Sequence, residues 1–398
     1  MLTVQIIGSL TFLAVTALTP FIKAEFALSS SGVGVLIVAL YLGYFLTLIP
    51  GGVLTDVFDE RVAVGLGLGS IGLIAIAIGA SASAWVLGIG LFALGCGYSV
   101  IPPGTNKGVF DWFPSEQLGV GLGIKQTGVM FGGAISAALL PLLATRAGWR
   151  IAFTAAGVLS LLGLGLLVVY ARPDGAASLA SNGTTSTTEM FRSQVRGIKT
   201  VYAKTDMTPL LFVGFLFGAG QFTLAAYAVL YLTEQIALTP TVAGVLYTSM
   251  QLAGVGSRIL FGYIADRWLM ENRSQLLFGI GIAGFLAYGV LVSLPTNASL
   301  LVVGIVVTLV GSLSFGYNGV YLTIANELAG AEHTGFSTSI AIAALMVGAL
   351  VTPPIFGLVA DLTGGYNLPM ILLASITLLA GVFSRYIDGQ PLASTVSK

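Results

Sequence analysis

The sequence predicts an all-α membrane protein of twelve transmembrane helices, arranged as two pseudo-symmetric six-helix bundles. Three observations carry this: the composition, the recurrence of apolar segments of spanning length, and a correspondence between the two halves of the chain. Of 398 residues, 56% are hydrophobic and 8% charged, and the mean hydropathy is +0.97. A soluble domain carries about 25% charged residues. This chain has too little polar surface to cover a water-soluble particle of its size, so the solvent for most of its side chains is lipid. The 16 basic and 16 acidic residues cancel, and no basic stripe marks a nucleic-acid binder. A single cysteine, Cys96, excludes an internal disulfide, and a single histidine, His333, excludes a multi-histidine metal site. No metal and no cofactor is expected.

A spanning helix needs about 20 mostly apolar residues. Such segments fall at 2–22, 33–55, 62–81, 84–107, 118–144 and 150–171, then at 207–233, 241–265, 275–294, 299–326, 335–360 and 367–387. In chain order these are spans 1 to 12. The first begins at Leu2, with no charged region before it and no small-residue cleavage site after it. It therefore reads as span 1 rather than as a signal peptide; so abrupt a beginning also leaves room for a start codon upstream. The domains expected are a bundle over 1–171, a linker over 172–206, a bundle over 207–387 and a tail over 388–398.

The linker opens with "RPDGAASLASNGTTSTTE", a Ser, Thr, Ala and Gly composition expected to be disordered. It continues with "MFRSQVRGIKTVYAK", where Arg192, Arg196 and Lys199 fall at helical spacing. That stretch reads either as a basic amphipathic helix on a membrane surface or as a solvated linker. Orientation follows the basic residues. One side collects Arg61, Arg267, Arg273, the linker residues Arg172, Arg192, Arg196, Lys199 and Lys204, then Arg385 and Lys398; the other has Lys23, Arg146 and Arg150. The expectation is a multi-pass protein of the cell (inner or plasma) membrane, with both termini and the linker cytoplasmic. Its partners are then the lipid bilayer and a small molecule, and the chain is expected to act as a monomer.

The loop after span 2 reads "GGVLTDVFDERV" and the loop after span 8 reads "FGYIADRWLMENRS". Both carry Gly-x-x-x-Asp followed by arginine: Gly52, Asp56 and Arg61 in the first, Gly262, Asp266, Arg267 and Arg273 in the second. Spans 5 and 11 share early glycines and a late proline, and spans 4 and 10 share Gly97-Tyr98 and Gly316-Tyr317. Matching halves suggest a duplicated transporter with its site between the halves, near the bilayer midplane. On these residues the chain resembles the major facilitator superfamily over its whole length. It departs from the superfamily signature at Val57, where arginine is usual, and at Asp59, where glycine is usual. The resemblance implies two rocking bundles and alternating access. It also implies a cytoplasmic gate built on Gly52, Asp56, Arg61, Gly262, Asp266 and Arg267, with the two aspartates accepting helix N–H groups and pairing with arginine. The other reading of those aspartates is loop charges that stop helices.

Two cations stand inside apolar spans. Lys125 lies seven residues into span 5 in "GIKQTG", about 10 Å deep, and Arg258 lies eight residues before Asp266 in span 8, about 12 Å deep. No acidic residue sits at that depth: Glu25, Glu234 and Asp361 belong near outer helix ends and Glu327 near an inner end. Intramembrane basic residues face the protein interior or a water-filled cavity, and two without a counter-charge suit an anion. An arginine at this place in span 8 also resembles the monocarboxylate and oxalate/formate-type anion carriers. Snorkelling of Lys125 to the interface and pairing of Arg258 with Asp266 stay open as alternatives. Other candidate cavity residues are Gln126, Gln221, Tyr227, Gln251, Tyr317 and Asn318, with Tyr41 and Tyr44 in span 2. Gln251, seven residues before Arg258, shares its helix face.

The function expected is secondary active transport of a small organic anion bound between the bundles. The alternative is export of drugs or neutral metabolites, with Lys125 and Arg258 structural. No mid-membrane carboxylate or histidine is present for proton coupling, and span 4 ("LFALGCGYSV") lacks the arginine common in proton-coupled drug exporters. A proton carried on Lys125, anion exchange and uniport all remain open. A membrane-embedded enzyme would need clustered nucleophiles, bases or metal ligands, which this chain lacks, so no enzyme is expected. A receptor on a transporter scaffold would bind without flux.

Overall fold

The computed structural model describes residues 1–112, 118–170, 207–270, 272–329 and 334–387. The linker with its basic stretch, His333, the tail and the side chain of Asp56 lie outside the described residues. Among the described residues every regular element is helical, and fifteen segments make twelve spans. They are Leu2–Phe12 with Ala14–Glu25, Ser30–Val57, Glu60–Gly79, Ala84–Tyr98 with Ile101–Trp112, Leu118–Ala147 and Trp149–Tyr170. The second half has Thr208–Glu234, Pro240–Trp268, Arg273–Ser293, Leu300–Gly316 with Asn318–Ala329, Thr334–Thr363 and Asn367–Ser384. Eleven are long and apolar enough to cross a membrane; span 8, with Gln251, Arg258, Asp266 and Arg267, falls short in hydropathy.

Three spans read as continuous in the sequence are broken. Span 4 breaks at Ser99–Val100. Its second helix starts at Ile101 with Pro102 and Pro103 in the first turn, where a missing N–H leaves no hydrogen bond unmade. Span 10 breaks at Tyr317, between Gly316 and Asn318, and span 1 at Leu13. The breaks in spans 4 and 10 fall at equivalent places in the two halves.

The repeat is also visible in the caps and turns. Spans 2, 4, 8 and 10 each start on a Ser or Thr (Ser29, Ser83, Thr239 and Ser299) whose side chain accepts a first-turn N–H. The turn before span 2 is Phe26-Ala27-Leu28-Ser29 and that before span 8 is Ile236-Ala237-Leu238-Thr239. Both alanines adopt the left-handed conformation, at φ 47° and 60°. In the first half span 1 packs on 5, 2 on 4 and 3 on 6; in the second, 7 packs on 11, 8 on 10 and 9 on 12.

The halves meet where span 2 packs on 11, span 5 on 8 and span 1 on 7. Span 2 approaches span 11 so closely that a Cβ at Gly34 would lie 2.7 Å from the Pro353 carbonyl oxygen; glycine is what lets the backbones touch. Large apolar side chains such as Ile89, Val168, Ile305 and Leu301 are exposed on the outside, as lipid-facing residues are. Trp85 at one end, and Trp268 and Tyr386 at the other, are also exposed, which fits interfacial anchoring.

Candidate functional site

A cavity of about 470 Å³ lies between the halves, within the usual range for small-molecule sites. Spans 1, 2, 4, 5, 7, 8, 10 and 11 all contribute to its wall. One side is aromatic. Phe12, freed to face inward beside the break in span 1, stacks on Tyr98 at 4.2 Å and meets Tyr41 and Tyr44 edge-on at 5.6 and 5.7 Å. Tyr41 in turn meets Phe222 of the other half at 5.1 Å. The polar side is made of amides and one cation. Asn318, first residue after the span 10 break, donates to Gln221 Oε1 at 2.7 Å, and Gln251 lies 3.5 Å from the Tyr247 hydroxyl. Arg258 Nε donates to the Phe315 carbonyl at 3.0 Å.

The structure brings Tyr41, Tyr44, Gln126, Gln221, Gln251, Arg258 and Asn318 round this cavity. It does not bring Lys125, Tyr227 or Tyr317 to its lining. Lys125 is 2% exposed. Its Nζ donates to Asn106 Oδ1 at 2.8 Å and to the Pro102 carbonyl at 3.1 Å, so span 4 solvates it with neutral acceptors. It neither snorkels nor reaches the void. Tyr317 is buried, stacked on Phe217 at 4.4 Å. Tyr227 donates to the carbonyls of Ser30 at 2.7 Å and Pro353 at 2.9 Å, where spans 2 and 11 meet. Among the described residues neither Lys125 nor Arg258 forms an ion pair, so Arg258 does not pair with Asp266.

One end of the cavity is sealed by links between the halves that the sequence did not reveal. Lys23 of span 1 pairs with Glu234 of span 7 at 2.6 Å and donates to the Tyr366 hydroxyl at 3.0 Å. Tyr366 donates to the same carboxylate at 2.9 Å. Burial pushes the Tyr366 phenol above its usual range. Asp361 of span 11 accepts the N–H groups of Ser30 at 2.7 Å and Ser31 at 2.9 Å, capping span 2 from the opposite half. At the other end the contacts described stay within one half. Arg273 bridges Asp266, at 2.9 Å, and Glu327. Lys107 donates to the Thr55 and Phe58 carbonyls at 2.7 and 3.0 Å, satisfying the end of span 2. Asp59, the departure from the superfamily signature, accepts the Arg61 N–H at 2.9 Å and caps span 3; Arg61 also lies 3.6 Å from Glu60. Arg267 is exposed. A Cβ at Gly52, Gly123 or Gly262 would meet nothing within 4 Å among the described residues, so these helix faces lie apart.

Comparison with known proteins follows the same lines. The family profile described as Major Facilitator Superfamily matches residues 1–343. A probable sulfoacetate transporter of Cupriavidus necator is 25% identical, covering 94% of this chain and 89% of its own. A probable galactarate/D-glucarate transporter of Bacillus subtilis is also 25% identical, covering 95% and 88%. Among solved structures, a bacterial homologue of the human lysosomal transporter Spinster, inward-facing and unoccupied, superposes with a TM-score of 0.77 at 16% identity, over 97% of this chain and 95% of that one.

Proposed function

We infer the function from one premise: the chain belongs to the Major Facilitator Superfamily. It is a multi-pass membrane transporter, and its mechanism is alternating access of a site between two bundles. The cargo we propose is a small organic anion held on Arg258. One observation carries this reading: a guanidinium lines the cavity, spends one N–H on a backbone carbonyl, and has no carboxylate partner among the described residues. An intramembrane charge without a counter-charge is costly, and a bound anion removes that cost. The names of the two relatives, both transporters of organic acids, support the same class of cargo.

The gate reading completes the cycle. The excess of basic loop residues at the Asp266 end favours that end as cytoplasmic, so the described conformation is open inward and sealed outward. Opening outward requires breaking Lys23–Glu234 and the Asp361 cap while the Asp266 ends of the two halves close on each other. Asp56, Arg61, Asp266 and Arg267, with the unobstructed Gly52 and Gly262, are the groups proposed to meet there.

The test is ligand-induced thermal stabilisation of the purified protein against small carboxylates, inorganic anions, sugars and cationic drugs. Organic anions should stabilise the parent, and Arg258→Gln should weaken them at least about 30-fold, the loss of a buried charged contact of 2 kcal/mol or more. The aromatic wall favours a second reading, a neutral or cationic apolar cargo. Equal stabilisation of parent and Arg258→Gln by such compounds alone would establish it in place of the first.

A further inference from the structure

We propose that the cavity selects a substrate with one anionic group and an otherwise uncharged body, and discriminates against the dianion of the same skeleton. This rests on the anion reading above and narrows it, away from the dianionic acids in the names of the two relatives.

The argument is a count of charges by position. Among the described residues that line the cavity, Arg258 is the single charged side chain. The sequence places a second cation, Lys125, next to the lining residue Gln126, and two cations would suit a dianion. The fold turns that lysine away: it is almost wholly buried and its ammonium is bound by Asn106 and the Pro102 carbonyl. Arg258 Nε is held by Phe315, which leaves the terminal nitrogens for one planar carboxylate or one sulfonate, the paired geometry at which arginine is strongest. Away from Arg258 an occupant meets Phe12, Tyr41 and Phe222 on one side and the Gln221–Asn318 amide pair and Gln251 on the other. These groups accommodate apolar carbon and hydroxyls. None can neutralise a second carboxylate, and an unpaired charge taken out of water is strongly disfavoured.

The experiment uses the full-length protein in detergent at pH 7.5, with two matched pairs of probes: gluconate with glucarate, and hexanoate with adipate. Each pair shares a six-carbon skeleton and differs by one carboxylate. Apparent Kd values come from the concentration dependence of the melting temperature, at constant ionic strength. The monoanion of at least one pair should bind at least tenfold more tightly than its dianion, Arg258→Gln should remove that binding, and Lys125→Gln should leave the ratio within twofold. Dianions that bind as tightly as their monoanions, or more tightly, in every pair that binds overturn the inference and leave the anion reading intact. A dianion preference that Lys125→Gln abolishes would show that the lysine swings into the site. If no anion of either pair stabilises the parent, the anion reading falls and this inference with it.

Discussion

At the scale of single residues, the fate of Lys125 turns on a rotation of one position. Lys125 and Gln126 are about 100° apart on the helix, and one faces neutral acceptors on span 4 while the other faces the cavity. The sequence shows that a lysine lies deep in an apolar span, but not which way the helix is turned. Gln251 and Arg258 were legible as partners because seven residues return a helix to the same face, and both do line the cavity. Tyr227 and Tyr317 stand out in the sequence by polarity alone, and polarity carries no direction. Asn106 reads in the sequence as an ordinary amide, although it is the main acceptor for a buried ammonium. Asn106→Leu should therefore lower stability by about 1–3 kcal/mol, the cost of orphaning a buried donor, seen as a fall in melting temperature. Lys125→Met in the same background should recover most of it; no recovery would mean the amide serves something else. The left-handed alanines make a second case. Ala27→Gly and Ala237→Gly should each stabilise by up to about 1 kcal/mol, because glycine lacks the Cβ clash at positive φ. A melting temperature that falls in both would show that the turns are not strained.

At the scale of elements, the twelve spans were legible within a few residues because length and apolarity suffice to mark a helix in lipid. The breaks were less so. Pro102-Pro103 and the Gly316 to Gly319 stretch mark them in retrospect, yet proline and glycine also sit inside unbroken spans 2, 5 and 11 here. At span 10 the freed Phe315 carbonyl is answered by Arg258 of span 8, a partner the local sequence does not show. Span 2 depends on a neighbour in the same way: its N-terminus is capped by its own Ser29 and by Asp361 from the other half. Asp361→Ala should loosen the seal between spans 2 and 11. In a Cys96→Ala, Ser30→Cys background, labelling by a membrane-impermeant maleimide should rise several-fold on removal of the aspartate. Unchanged labelling would mean the tight packing at Gly34 holds the seal alone.

At the scale of the whole molecule, the two-bundle plan was readable from the Gly-x-x-x-Asp repeat, whereas the seal at the Lys23 end was not. Lys23 and Glu234 are 211 positions apart, and only the docking of one bundle on the other brings them together. If that pair locks the sealed state, Lys23→Glu and Glu234→Lys should each shift the population toward outward opening, and the double exchange should restore it. A double exchange no better than the singles would assign the lock to Asp361 and Tyr366. Span 8, whose Gln251 and Arg258 line the cavity, has a hydropathy below that of the other eleven spans. A segment leaving the ribosome partitions into the bilayer by its own apolarity. Span 8 should do so poorly on its own and should enter alongside a neighbour; in the fold it packs chiefly on spans 5 and 10. Span 10 is synthesised later. Chains stopped after span 8 should therefore insert that helix incompletely, and chains extended through span 10 should complete it, as engineered glycosylation sites in the adjoining loops would report. The side chains that line the cavity on span 8 would then also govern how the chain is built into the membrane.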